Sequence, residues 1–258
     1  SQFSLASEGC VMSGVKEHLF EVENEAMRQW MRQTFNIPND KELDEESDGW
    51  HAMVEMYHDM KNAESYEASV EWYKEHPHEE IYDSFRGNLT ELKGMVSQNM
   101  GPFYNVMMHR MAYAHAVTLF EAMVGELLKS LVMNDTELLA NLVNGLAGDS
   151  SKKYNLKQIA DYGVNGLIVK ILSEELYHNP VTVKKYVDMI SGRVMPSTHM
   201  AKMSTVTKIR HDVAHRNGKT VDDEYHELNS EAVIDCIKTI ELFSKDVFLV
   251  LTDGFEEF

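Results

Sequence analysis

Residues 103–133, FYNVMMHRMAYAHAVTLFEAMVGELLKSLVM, form the long and strongly apolar stretch that determines the fold class of this chain. Apolar residues recur in it at spacings of three and four, which is the period of an amphipathic α-helix. The Gly101-Pro102 pair directly before it is the clearest break in the chain. We therefore predict one long helix over residues 103–133.

The same spacing continues on both sides of this stretch, and only five prolines interrupt the 258 positions. Ser197 is a candidate N-cap, and Asn217-Gly218 suits a left-handed helix end. A short extended piece is expected at 225–228. The apolar positions predict further helices at about 15–35, 50–73, 79–95, 136–146, 155–177, 181–191, 197–217 and 231–251. The fold class is therefore predicted to be all-α, a helical bundle.

Charge divides the chain into two parts. Residues 1–100 carry 8 basic and 21 acidic side chains and all three tryptophans, which we interpret as ordinary core residues. With Gly101-Pro102 as the boundary, the sequence predicts an additional, acidic N-terminal helical region at 1–100 and a helical domain at 101–258. Within the second part, residues 181–220 hold eight basic and only two acidic residues. Such a local basic patch can hold one or two phosphates. On charge alone, the alternative is that helix surfaces alternate in charge and this stretch is basic by chance.

Composition excludes several classes of protein. Two cysteines among 258 residues provide neither a disulfide framework nor a cysteine-built zinc site. The apolar runs are shorter than the roughly 20 residues that cross a bilayer. No basic region followed by an apolar region opens the given sequence, so we do not expect a secreted protein. A net charge of −18 opposes the coating of duplex DNA. We expect a cytoplasmic protein without a membrane partner.

One segment, KIRHDVAHRNGK at 208–219, combines four cations with two imidazoles. On an ideal helix Arg210 falls within the apolar stripe of Val206, so it faces the core or a partner helix and needs an anionic partner. His211 and His215 are four positions apart and share a different face. Helical spacing therefore separates the guanidinium from the imidazoles.

Three interpretations of this segment compete. Two histidines at i and i+4 match zinc spacing, but no glutamate lies between them and no third ligand is evident, so we predict no metal. A structural interpretation pairs a buried arginine with an aspartate and leaves the histidines solvated. A catalytic interpretation places an imidazole for proton transfer beside a guanidinium that binds phosphate. The last arrangement suits RNA cleavage through the 2′-hydroxyl, which needs a base, a cation and an acid and no obligatory metal.

A family resemblance bears on this choice. Arg210-His211-Asp212-Val213-Ala214-His215 resembles the Arg-x4-6-His signature of the HEPN superfamily, with a polar residue directly after the arginine. The extension of this run to Thr220 looks like the branch found in bacterial toxin and phage-defence contexts. Residues 116–123, AVTLFEAM, are similar to the first core helix of those proteins, where a glutamate is often present. The amphipathic helix after the motif also fits, so the resemblance covers about residues 105–250.

The resemblance implies a helical domain that dimerises and joins two motifs in one composite cleft. Arg210 and His215 would be the catalytic pair, His211 a polar accessory residue and Glu121 an orienting or electrostatic partner. Members are typically metal-independent endoribonucleases that leave 2′,3′-cyclic phosphate ends and use no cofactor. RNA, a second copy and a protein partner such as an antitoxin are the expected partners. The residues expected to contact RNA are Lys208, Arg216, Asn217 and Lys219.

Two alternatives stay open at this point. The chain is then either a non-catalytic HEPN module that binds a protein or nucleic-acid partner, or a structural helical domain whose Arg210 forms a salt bridge. Membership of a fold family does not determine function, because some members have lost activity and only bind.

Overall fold

The computed structural model describes residues 5–149 and 154–252, and within them the chain forms nine α-helices and one isolated β-bridge. The all-α prediction is confirmed. None of the helices in these ranges combines the length and apolar character needed to cross a membrane. The helices are α1 Leu5–Thr34, α2 Trp50–Glu75, α3 His78–Val96, α4 Pro102–Asn134, α5 Thr136–Gly148, α6 Leu156–Ser173, α7 Pro180–Ser191, α8 Met200–His215 and α9 Ser230–Leu251.

The chain consists of two compact units that divide inside α2, between Ser65 and Tyr66. The predicted boundary at Gly101-Pro102 therefore lies within the larger unit. The physical reason is α3, whose apolar face belongs to the same core as α4 and α9. A Gly-Pro pair ends a helix, but it does not prevent the two helices that it separates from packing together. The α3 residues in that core are Ile81, Phe85, Leu89, Leu92 and Val96.

The smaller unit has its own apolar core, built from α1, the first part of α2 and the loop between them. Met31 is fully buried, and Trp50 packs in the same cluster. The Arg32 guanidinium donates to the carbonyl oxygens of Pro38 and Lys41 at 2.6 and 2.9 Å, which fixes the start of the loop. Trp30 and Trp50 are thus core residues of this unit, as predicted.

In the larger unit α4 is the central helix, and it packs against α3, α5, α6, α7, α8 and α9. Phe120 on α4 is fully buried, and its ring lies 5.7 Å from that of Phe243 on α9. The apolar stripe predicted for the last helix is buried along the whole of α9, from Val233 to Leu251. The strongly apolar stretch therefore forms the centre of this core.

Three helix ends differ from the prediction. Helix α1 begins at Leu5, and α6 ends at Ser173 after a kink at Gly163, where φ is 64°. Ser197 does not cap α8, which begins at Met200 behind a turn in which the Ser197 carbonyl accepts the Met200 N–H at 3.2 Å. The predicted left-handed end after α8 is confirmed, with φ of 52° at Asn217 and 80° at Gly218.

Candidate active site

Helix α8 places Arg210 against α4. Met203 and Val206 are buried, and Ile209 packs against the same core, so these residues set the rotation of α8. Arg210 lies on this side with 24% of its side chain exposed, and its Nη2 atom is 3.6 Å from Oε1 of Glu121 on α4. The structure thus brings together the guanidinium and the carboxylate that the sequence analysis singled out.

Glu121 lies between two basic side chains. Its Oε1 atom is buried and accepts no hydrogen bond from any described residue. Nδ1 of His178 lies 3.8 Å from the same oxygen. Both this distance and the 3.6 Å to Arg210 exceed an ordinary hydrogen bond, so Arg210 is attracted to Glu121 by charge rather than by a directed bond. The Arg210 guanidinium therefore retains donors for a second anion.

His178 is a candidate site residue that sequence reasoning missed. It belongs to the link between α6 and α7, which approaches α4 only in three dimensions. One sequence signal of that approach is Gly125 inside the long helix, because a Cβ there would lie 3.3 Å from the ring of Tyr177. The Tyr177 hydroxyl donates to the Leu172 carbonyl at 2.7 Å, which fixes the link next to Glu121.

His211 and His215 lie at the C-terminal end of α8 and are both exposed. Their ring centroids are 4.7 Å apart, as their i, i+4 spacing predicts. His215 is the last residue of α8, and five helical positions turn it about 140° away from Arg210. The imidazoles therefore face solvent, whereas Arg210 faces α4.

Asp212 joins the end of α8 to the loop that follows. The residue is 3% exposed, and its two carboxylate oxygens lie 3.2 Å from Arg216 Nη1 and 2.9 Å from His226 Nε2. The hydrogen bond with His226, supported by the charge of Arg216, holds the pKa of Asp212 below its usual value. Asp212 is thus a buried carboxylate paired with an arginine, and that arginine is the half-exposed Arg216 rather than Arg210.

We expect Asp212→Asn to destabilise the chain at neutral pH and to have little effect in strong acid. Because the pKa of Asp212 is lower in the folded chain than in the unfolded chain, its charged form favours folding above the unfolded value of about 4. That contribution disappears as the pH falls through the lower, folded pKa. Urea unfolding midpoints of both chains, measured from pH 7 down to about pH 2.5, would therefore converge in acid.

The matched control for this prediction is Asp223→Asn. Asp223 lies 2.7 Å from Lys219 Nζ, but its side chain is largely exposed, so this pair contributes little at any pH. A difference between wild type and Asp212→Asn that stays constant over the pH range would contradict the stabilising role of the ionised carboxylate.

The loop after α8 packs against a cation of α4 that sequence reasoning also missed. Arg110 Nη1 donates to Asn217 Oδ1 at 3.3 Å, and its guanidinium carbon lies 5.2 Å from the centre of the Tyr225 ring. Gly218 is required here, because its φ is positive and a Cβ would lie 3.2 Å from Arg110 Nε. A single β-bridge between Lys219 and Tyr225 closes the loop.

The four residues predicted to contact RNA differ in their surroundings. Lys208 is exposed on α8. Arg216 is paired with Asp212, and Asn217 accepts the hydrogen bond of Arg110. Lys219 bonds to Asp223, which raises the pKa of Lys219. Three of the four are thus already engaged within the chain.

The arrangement places a guanidinium beside a carboxylate, on a helix whose C-terminal end exposes two imidazoles. In the part of the chain that the structure describes, no three His, Cys, Asp or Glu side chains cluster so as to hold a metal ion. No family model, curated protein or solved structure matches this chain.

Proposed function

We propose that this chain is a metal-independent endoribonuclease of HEPN type that acts in toxin–antitoxin or antiviral defence. The observation that carries the proposal is the Arg210 guanidinium held beside Glu121, on a helix that also exposes His211 and His215. The resemblance of residues 210–215 to the HEPN signature supports the same assignment. A guanidinium and an imidazole are the groups that strand cleavage through the 2′-hydroxyl requires.

In the proposed reaction His215 is the acid/base. As base it removes the 2′-hydroxyl proton, the 2′-oxygen attacks the phosphorus, and the bond from phosphorus to the 5′-oxygen breaks. A protonated imidazole returns a proton to the leaving 5′-oxygen, so the products are a 2′,3′-cyclic phosphate and a 5′-hydroxyl. Arg210 stabilises the negative charge that develops on the phosphoryl oxygens. Glu121 orients Arg210, and His211 is the accessory polar group.

A second copy of the chain completes the proposed site. Cleavage needs a base, an acid and the cation at the same phosphate. Within one chain Arg210 and His215 lie about 140° apart around α8, so a second copy is needed to bring these groups together. The proposed contact surface is the apolar side of α4 near Arg110, where Met107 and Met111 are 55% and 65% exposed. Such exposed apolar side chains are typical of interaction surfaces.

We expect Met107→Glu and Met111→Glu to convert a dimer into monomers and to abolish cleavage, because a buried, unpaired carboxylate is costly at an apolar interface. Light scattering after size-exclusion chromatography would measure the mass, and circular dichroism would verify the helices. Met56→Glu, at an exposed position of the smaller unit, is the matched control and should stay dimeric. A monomeric wild type that cleaves RNA would contradict this part of the proposal.

The direct test is incubation of the purified wild type with mixed cellular RNA in EDTA. We expect fragments with 2′,3′-cyclic phosphate ends, since no step of the proposed reaction uses a metal. Intact RNA under these conditions would contradict the endoribonuclease proposal.

A non-catalytic HEPN module is the second candidate. It is favoured by the pairing of Arg216 with Asp212 and of Lys219 with Asp223, and by the net charge of −18, which together weaken attraction for RNA. In that case RNA stays intact, and His215→Ala changes only the binding of a partner.

A further inference from the structure

A cavity of about 320 Å³ lies between the end of α2, α3 and α4, within the larger unit. It opens on the side of α4 that carries Leu119 and Glu126, about 150° around the helix from Glu121. Its volume is at the lower end of ligand pockets, which span roughly 300 to 1,000 Å³. The cavity is therefore separate from the candidate active site and has room for a single side chain or a small molecule.

Stacked aromatic rings form one wall of the cavity. The rings of Trp72 and His76 lie 3.9 Å apart and within 13° of parallel. His76 Nδ1 is 2.7 Å from the Trp72 carbonyl oxygen. Because a carbonyl only accepts hydrogen bonds, His76 Nδ1 is the donor of this bond, which fixes the imidazole against the indole. This wall therefore presents aromatic π faces to the cavity.

The wall is held in place by α4. Ser130 Oγ donates to the His76 carbonyl at 2.7 Å, and Asn134 Nδ2 donates to the Tyr73 carbonyl at 2.9 Å. Trp72 nevertheless keeps 41% of its surface exposed, so the prediction that it is a core residue is wrong. The indole is instead a fixed, accessible face at the mouth of a cavity.

The charge of the lining is negative. Glu80 and Glu126 contribute carboxylates, and no lysine or arginine is present among the described residues that line the cavity. Lys129, one turn from Glu126, does not line the cavity: its Nζ lies 4.8 Å from the centre of the Tyr73 ring and 3.4 Å from Ser173 Oγ. Burial lowers the pKa of Lys129, and the charge of Glu126 opposes that shift. Cations are attracted both to carboxylates and to the face of an indole.

We propose that this cavity binds the guanidinium group of an arginine side chain in a basic polypeptide segment. A planar guanidinium stacks on an aromatic face and donates to carboxylates at the same time, which an ammonium group does less well. The apolar lining from Ile81, Phe85 and Leu119 suits the aliphatic stem of that side chain. The net charge of −18 attracts a basic partner. This proposal does not depend on ribonuclease activity.

The test is a titration of the full ¹⁵N-labelled chain with a blocked Gly-Arg-Gly peptide, followed by NMR. The indole N–H signal of Trp72 is assigned as the one that is present in the spectrum of the wild type and absent from that of Trp72→Phe. We expect this signal to shift saturably, and we expect the citrulline peptide, which has the same shape without the charge, to bind at least tenfold more weakly.

Single isosteric variants locate the binding group. We expect Glu80→Gln and Glu126→Gln each to weaken binding of the arginine peptide by about tenfold. Glu91→Gln, which removes the same charge at an exposed position of α3 outside the cavity lining, should leave binding unchanged. Equal binding of the arginine and citrulline peptides, equal effects of all three variants, or no shift of the Trp72 signal at millimolar peptide would overturn the proposal.

Discussion

We expect His215→Ala to reduce the rate of RNA cleavage by roughly 10² to 10⁴-fold, which is the usual contribution of a general acid/base. His215 is exposed at the last position of α8, so its removal leaves no cavity and unpairs no buried group. The thermal unfolding midpoint should therefore change by less than about 2 °C, as for most surface substitutions. Initial rates on one RNA in EDTA and thermal melts of the same preparations measure both quantities.

His51→Ala is the matched control for this prediction, because His51 is also an exposed histidine on a helix, but in the smaller unit. We expect it to cleave at the wild-type rate. Cleavage by His215→Ala at the wild-type rate would contradict the assignment of His215 and would indicate another site or a contaminating nuclease.

Arg210 and Asp212 differ in how tightly they are paired within the chain. The Arg210–Glu121 pair is loose, at 3.6 Å, and partly exposed, so it contributes little to stability. Asp212, in contrast, is buried and satisfied by Arg216 and His226. The aspartate of the motif is thus paired with Arg216, whereas Arg210 is paired loosely with Glu121.

Periodicity predicted the helices because most of them bury a single face, and that face leaves its spacing in the sequence. The stripe on α9 and the left-handed turn at Asn217-Gly218 are examples, since both depend on residues close together in the chain. The pairing of Arg210 with Glu121 was expected only in outline. The apolar stripe of Val206 on α8 indicated that Arg210 faces the core or a partner helix, and the family resemblance singled out Glu121.

The other parts of the site depend on contacts between distant segments, which periodicity does not encode. His178 approaches Glu121 from the link between α6 and α7, and Arg110 reaches Asn217 from the first half of α4. Trp72 was expected to be a core residue, but its ring lines a cavity. The periodicity of a helix predicts that a residue faces another segment of the chain, but it does not identify that segment.

The boundary between the two compact units, at Ser65 and Tyr66, predicts which shortened chains fold. We expect residues 66–258 to fold alone and residues 101–258 not to fold. The shorter chain lacks α3, whose five buried apolar side chains each contribute about 1.5–3 kcal/mol, or roughly 8–15 kcal/mol together. That loss equals the whole net stability of a typical domain, which is about 5–15 kcal/mol. It also removes the ion pair of Lys93 with Glu241 at 2.6 Å.

Residues 66–258 keep the last turns of α2, which the larger unit holds through Val70 and Tyr73 packed against Val169. Thermal melts followed by circular dichroism would compare the two chains, with chromatography to detect aggregates. We expect a cooperative transition for 66–258, and a broad transition or aggregation for 101–258, because the α4 face that α3 covers becomes exposed. A cooperative transition of 101–258 at the same temperature would place the boundary at Gly101-Pro102 and would show that α3 is dispensable for the core around α4.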